Sequence, residues 1–133
     1  MSELNPSSKP PPYGTVPIIG RLVSVYKLWY GFQNNFPKKS RYTLGEKIDR
    51  LFLEILELLL IGGYLSREKK LLYLQKAGAK LDILKFFLQI SWEIKSLDNK
   101  KYIVLSEKLN EVGKMLGGWL KQLANKTPAG GRG

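Results

Sequence analysis

The side chains in this sequence best equipped for chemistry are its lysines and arginines, and they come in clusters. Lys38, Lys39 and Arg41 place three positive charges within four residues. Arg67, Lys69 and Lys70 open a later stretch, followed by Lys76 and Lys80. At about 100° per helical residue, Lys69, Lys76 and Lys80 share one narrow arc with Tyr73 beside them. Lys85 comes farther along the same stretch, and Lys100, Lys114 and Lys121 share an outer arc of the last one. Such groups form charge-assisted hydrogen bonds to phosphate oxygens, and Tyr42 and Tyr73 nearby suit stacking against bases. Lysine outnumbers arginine, which favours backbone contact over bidentate reading of base edges. No helix-turn-helix, zinc-finger or RNA-recognition signature is present, so binding without sequence preference is expected.

Other chemistry lacks its residues. The chain has no histidine and no cysteine, so the commonest general base, the commonest metal ligand and any thiolate nucleophile are missing. No G-x-x-x-x-G-K-[ST] motif occurs. Helix-spaced carboxylates such as Glu54 and Glu57 have no histidine partner for a two-metal bundle site and read as a solvated face. Serines have no imidazole to activate them. The expectation is a binding protein, not an enzyme, with no cofactor, metal or small-molecule substrate. The net charge of +11, from 22 Lys+Arg against 11 Asp+Glu, points to polyanionic partners. The absence of cysteine agrees with a cytoplasmic location. No apolar run is long enough to cross a bilayer, and the first residues lack an apolar signal core, so no membrane is expected.

The elements that position these charges are helices. Residues 1–14, with Pro10, Pro11 and Pro12, read as a disordered leader. Ile18, Leu22, Val25, Trp29, Phe32 and Phe36 form one helical stripe, predicting a first helix from about residue 16 or 17 to Asn35. Pro37 should end it, leaving Lys38–Arg41 as a basic hinge. Thr43 and Glu46 fit a capping box for a second helix, from Leu44 to Leu60. Its buried face is Leu44, Ile48, Leu51, Phe52, Ile55, Leu58 and Leu59, and Gly62-Gly63 end it. A third helix runs from a cap at Ser66 to Lys95, with core positions Leu74, Ala77, Leu81, Leu84 and Leu88. A fourth, capped by Asp98 or Asn99, reaches Ala124 with Leu105, Leu109, Val112, Leu116, Trp119 and Leu123 inward. Residues 126–133 read as a flexible tail. The sum is one all-α domain over residues 15–125, an antiparallel up-down-up-down four-helix bundle.

The second half of the third helix is apolar nearly all round. Ile83, Phe87, Ile90 and Ile94 continue the lysine arc as an apolar surface, and Phe86 and Trp92 add more. Such a helix needs cover on more than one side, which another subunit can supply. Gly117 and Gly118 sit inside a pattern that stays helical through Trp119, and each costs about 1 kcal/mol against alanine. Close approach of another helix or ring is the simplest reason for them.

Two stretches carry a family resemblance: Phe36-Pro-Lys-Lys-Ser-Arg-Tyr-Thr-Leu-Gly45 and, farther on, Val112-Gly-Lys-Met-Leu-Gly-Gly-Trp-Leu-Lys121. Together they resemble the Avd proteins, the accessory variability determinants of diversity-generating retroelements, with relatives encoded in ribosomal RNA intervening sequences. The resemblance spans roughly residues 20 to 122. It implies a pentameric barrel of four-helix protomers. It also implies association with the element's reverse transcriptase and with its template RNA, in support of mutagenic copying; the basic charge by itself would take DNA as a second polyanion. One departure stands out. Gln89 occupies a place where the family often has a second basic residue, while Lys85 keeps one charge there. Two other readings stay open: an oligomeric protein-interaction module of the intervening-sequence type with an acidic partner, and a basic helical toxin–antitoxin or membrane-surface protein.

Overall fold

The computed structural model describes residues 17–126. The proposed leader, and the tail from residue 127 on, lie outside the described residues. Among the described residues all regular structure is helical. Helix α1 is Pro17–Gln33, α2 is Glu46–Gly62, α3 is Arg67–Glu93 and α4 is Asn99–Lys126. Each helix packs on the next, and α1 closes the ring against α4. Cross-helix partners run in opposite directions along the chain. Glu54 meets Lys80 while Gly62 meets Tyr73, and Leu116 meets Gly78 while Gly113 meets Leu81. The arrangement is the expected antiparallel four-helix bundle.

The stripes read from spacing are the core. Ile18, Leu22, Val25, Trp29 and Phe36 are buried, as are all five expected positions of α3 and Leu105, Leu109, Val112 and Leu116 of α4. Phe32, Leu44, Leu58, Trp119 and Leu123 are half-buried and pack on that core from its edges. Trp29 is central to one end. Its ring meets Phe36 edge-on at 5.4 Å and lies nearly parallel to Phe52 at 6.2 Å. Its indole N–H donates to Asp49 Oδ1 at 3.2 Å. Burial, and then the adjacent Asp49 carboxylate, push the Tyr26 hydroxyl up to about 12, so this cluster gains no tyrosinate charge at ordinary pH. Gly62 permits the close approach of α2 and α3, since a Cβ there would lie 3.3 Å from Tyr73 Cβ.

The segment expected to be a hinge is helical instead. Pro37, at φ −56° and ψ 145°, stands at the head of a turn formed by Lys38–Ser40, which runs into a π turn over Arg41–Gly45 and then into α2. Proline stops α1 as expected, but its missing N–H is no loss at the start of a helix, where that donor has no partner. The chain therefore re-enters helix at once. The capping box is not formed. Thr43 Oγ1 donates back to Ser40 O at 3.4 Å, and Glu46 N–H is taken by the Arg41 and Thr43 carbonyls. The wide turn carries one extra residue, as π turns do, and Ser40 is buried beneath it. Ser40 Oγ shares a 2.7 Å hydrogen bond with Ser96 Oγ, joining the α1–α2 and α3–α4 connections.

Candidate nucleic-acid interface

The expected basic residues are set out along the whole bundle rather than gathered into one patch. Lys38 and Lys39 are exposed at the end where α1 passes to α2 and α3 passes to α4. Lys69, Lys76 and Lys80 share one arc of α3, and the Lys80–Glu54 pair turns that arc toward α2 rather than straight away from the core. Lys80 Nζ reaches Glu54 Oε1 at 3.1 Å, and Lys76 Nζ stands 5.7 Å from the Tyr73 ring centroid. Arg67 and Lys70 open α3 at the opposite end of the bundle from Lys38. Lys121 belongs to that same end, near the last residues of α4. Lys85 of α3 and Lys114 of α4 both line a groove between these two helices. Gly78, Asp82, Asn110, Gly113 and Gly117 share its walls.

Arg41 differs from its neighbours. Its guanidinium turns back onto the end of α1, with Nη2 donating to Asn34 O at 3.0 Å and to Phe36 O at 2.9 Å. Its Nε is buried without a hydrogen-bond partner. Arg41 is thus an anchor of the α1–α2 connection, unlike the exposed Lys38 and Lys39. Spacing alone cannot separate the three, because the distinction depends on where α1 leaves unpaired carbonyls.

Tyr42 is exposed and Tyr73 half-buried. Lys38, Lys39, Lys69, Lys70, Lys114 and Lys121 make no ion pair among the described residues. Charges held this way stay available to an external anion. The described residues contain no cluster of three or more acidic side chains able to hold a metal ion, and no described helix is long and apolar enough to cross a membrane.

A family model described as bAvd-like matches residues 18–123, most of the chain. The chain belongs to the bAvd-like family. No curated protein matches it. The resemblance carried by the two quoted stretches is borne out. Membership makes the chain an accessory protein of that family. In this bAvd-like bundle the first stretch is the proline-started turn, the π turn and the Arg41 anchor. The second stretch is the later half of α4, where a Cβ at Gly113 would lie 3.5 Å from Lys85 Nζ and a Cβ at Gly117 or Gly118 would meet open space.

The residues expected to cover one another between subunits are divided. Ile83 is 43% and Ile94 55% exposed. Phe87 is half-buried against the bundle core, and so is Trp119. Ile90 is half-buried. Phe86 is 57% exposed on the far side of α3.

Sequence reasoning missed three features at the Lys38 end. Lys95 holds φ 67°, the left-handed conformation that favours glycine. It closes α3 with two backbone bonds, Lys95 N–H to Trp92 O at 3.0 Å and Ser96 N–H to Ser91 O at 2.8 Å, the pattern in which glycine usually stands. Trp92 stacks on Tyr102, with centroids 4.9 Å apart and planes at 9°. Lys101 Nζ lies 5.6 Å from the Phe32 ring centroid and pairs with Asp98 at 3.1 Å. Of these, only the i, i+3 spacing of Asp98 and Lys101 is visible in the sequence.

Proposed function

We propose that this bAvd-like protein is the accessory subunit of a diversity-generating retroelement, binding nucleic acid through phosphates and associating with the element's reverse transcriptase while template RNA is copied. The observation that supports the nucleic-acid part is the set of exposed lysines without ion pairs, spread over both ends of the bundle and the α2-facing flank of α3. A surface dominated by lysine, without a shaped donor array for base edges, favours binding by charge over binding by sequence. The protomers close into a homopentamer, with the exposed stripe of Ile83 and Ile94 and the open Gly117-Gly118 face of α4 as the surfaces that meet. Such closure would cover the apolar residues and multiply the positive field felt by a polyanion.

The test is a salt series of RNA and DNA titrations. Affinity should fall linearly on a log–log plot, with a slope of roughly −0.7 to −0.9 per phosphate neutralised. Replacing Lys69, Lys76 and Lys114 by alanine should lower both affinity and slope. A flat salt dependence, or a strong preference for one short sequence, would contradict the reading. If the protein ignores nucleic acid yet captures an acidic protein, the interaction-module reading takes its place. Light scattering decides the pentamer, since a monomer mass of 15.2 kDa would exclude it.

A further inference from the structure

We propose that the turn between α3 and α4 is a stacking site for an unpaired base of single-stranded nucleic acid, with Trp92 as the platform. The idea rests on the nucleic-acid part of the proposed function and gives it a place and a preference for strand type. Trp92 is 38% exposed yet held fast. Its ring lies flat on Tyr102, and its indole N–H donates to Asn99 Oδ1 at 2.5 Å. A ring already fixed loses little side-chain freedom when something stacks on it. The ring also lines a cleft of about 610 Å³ with Glu93, Lys95, Leu97, Asp98 and Asn99, a size usual for small-ligand sites.

The surroundings suit a sugar–phosphate strand. Lys95 stands at a left-handed position where glycine is the ordinary residue, and backbone strain of this kind concentrates at functional sites. Lys100 is exposed and follows Asn99 of the cleft wall in the chain. The Ser40–Ser96 hydrogen bond holds the connection carrying Lys38 and Lys39 against the one carrying Lys95. The cleft's two acids are already engaged: Glu93 accepts from Gln89 Nε2 at 3.1 Å, and Asp98 accepts the backbone N–H and the Nζ of Lys101. A π face next to cations that make no ion pair among the described residues is the arrangement by which single strands are held whatever their sequence, since every base offers a π face. A duplex keeps its bases stacked inside and can use only the cations.

The test compares a mixed-sequence single-stranded RNA oligonucleotide with its duplex, titrated into the full chain at low salt. Trp92→Leu should weaken single-strand binding about tenfold, leave duplex binding unchanged and leave the salt slope unchanged, since no charge is lost. Lys95→Gly should lower the slope by about 0.7 without destabilising the bundle. In a Trp119→Phe background, single strands should quench indole fluorescence and duplex should not, because Trp29 is fully buried. If Trp92→Leu melts the bundle, Trp92→Phe carries the test: it keeps a stacking ring and should retain most of the single-strand affinity. Single-strand affinity unchanged in Trp92→Leu, or an equal loss on both ligands, overturns the stacking site while phosphate binding stands. A wild-type protein that binds neither ligand overturns this site and the nucleic-acid reading together.

Discussion

At one end of the bundle, where α1 passes to α2 and α3 to α4, the chain is tied by polar bonds. Arg41 grips two carbonyls of the α1 end, Ser40 bonds Ser96, Asp98 caps α4, and Trp92 bonds Asn99. Beneath them Trp29, Phe36 and Phe52 fill the core. At the other end, α2 turns into α3 through Gly62, Gly63, Tyr64, Leu65 and Ser66. Short backbone bonds close that turn, such as Tyr64 N–H to Ile61 O at 3.0 Å and Leu65 N–H to Gly62 O at 3.1 Å. Leu60, Ile61, Tyr64 and Leu72 are exposed around that turn. One end is fastened across its two connections by side-chain hydrogen bonds and exposes Tyr42 and Ile94 outside them; the α2–α3 turn is closed by backbone bonds under a continuous set of exposed apolar side chains. Fixed geometry is what a binding platform needs, because groups already in place lose little freedom on binding. Open apolar surface is what further association needs.

The largest effect that probes this contrast lies under the tied end. Trp29→Ala should destabilise the protein by about 3–5 kcal/mol, the usual range for emptying a buried aromatic site, and leave Asp49 without its indole donor. Leu60→Ala, at the exposed turn, should change stability by no more than about 0.5 kcal/mol. Urea unfolding of both variants checks the pair. Equal losses would mean that the two ends are equally built into the fold.

Arg41 sharpens the same comparison within one basic run. Arg41→Ala removes a charged donor from two carbonyls and should cost about 1–2 kcal/mol. Lys38→Ala with Lys39→Ala should leave the melt within about 0.5 kcal/mol and act on the salt dependence of RNA binding instead. An Arg41→Ala protein that melts like the wild type would make all three residues solvated charges.

How much of this was legible depends on range. The stripes at Leu74, Ala77, Leu81, Leu84 and Leu88, or Leu105, Leu109, Val112 and Leu116, follow from local periodicity, and all are buried. The start of α2 was misread because Thr43 and Glu46 satisfy a local capping rule. The tertiary partners of Ser40 and Arg41, 56 and up to 7 residues away, make the turn start earlier. Helical phase puts Lys76 and Lys80 on one arc of α3 but does not show that this arc turns toward α2. The partner of Lys80, 26 residues distant, had no local signal. Neither had the left-handed backbone of Lys95, because lysine gives no hint of it.

That position yields a change in the opposite direction. Glycine at 95 removes the left-handed penalty of an L side chain, so Lys95→Gly should raise stability by up to about 1 kcal/mol. The gain is limited by the extra freedom glycine brings to the unfolded chain. A higher melting temperature with weaker single-strand binding would mean that lysine is kept there for its charge. A lower melting temperature would mean that the lysine side chain supports the turn.

The smallest effect concerns the two helix starts. Asp98 and Ser66 both precede helices and both are good capping residues. Asp98 Oδ1 accepts Lys101 N–H at 2.9 Å. That backbone bond first, and then the Lys101 side chain, hold the Asp98 carboxyl below its ordinary range. Ser66 has the extended backbone of a cap, at φ −63° and ψ 162°, but its side chain makes no capping hydrogen bond. Ser66→Ala should therefore cost less than about 0.5 kcal/mol, below the typical value for a lost cap of about 1 kcal/mol. Asp98→Ala should lower the melting temperature at neutral pH. Since the folded Asp98 carboxyl titrates lower than in the unfolded chain, its contribution is present above the unfolded value, near pH 3.9, and fades as pH falls through the folded one. Asp98→Ala and wild type should therefore converge in strong acid, while Ser66→Ala tracks wild type throughout. A pH series of thermal melts on the two variants reads both. If Ser66→Ala falls as far as Asp98→Ala at neutral pH, Ser66 does cap α3, and the two ends are fastened alike.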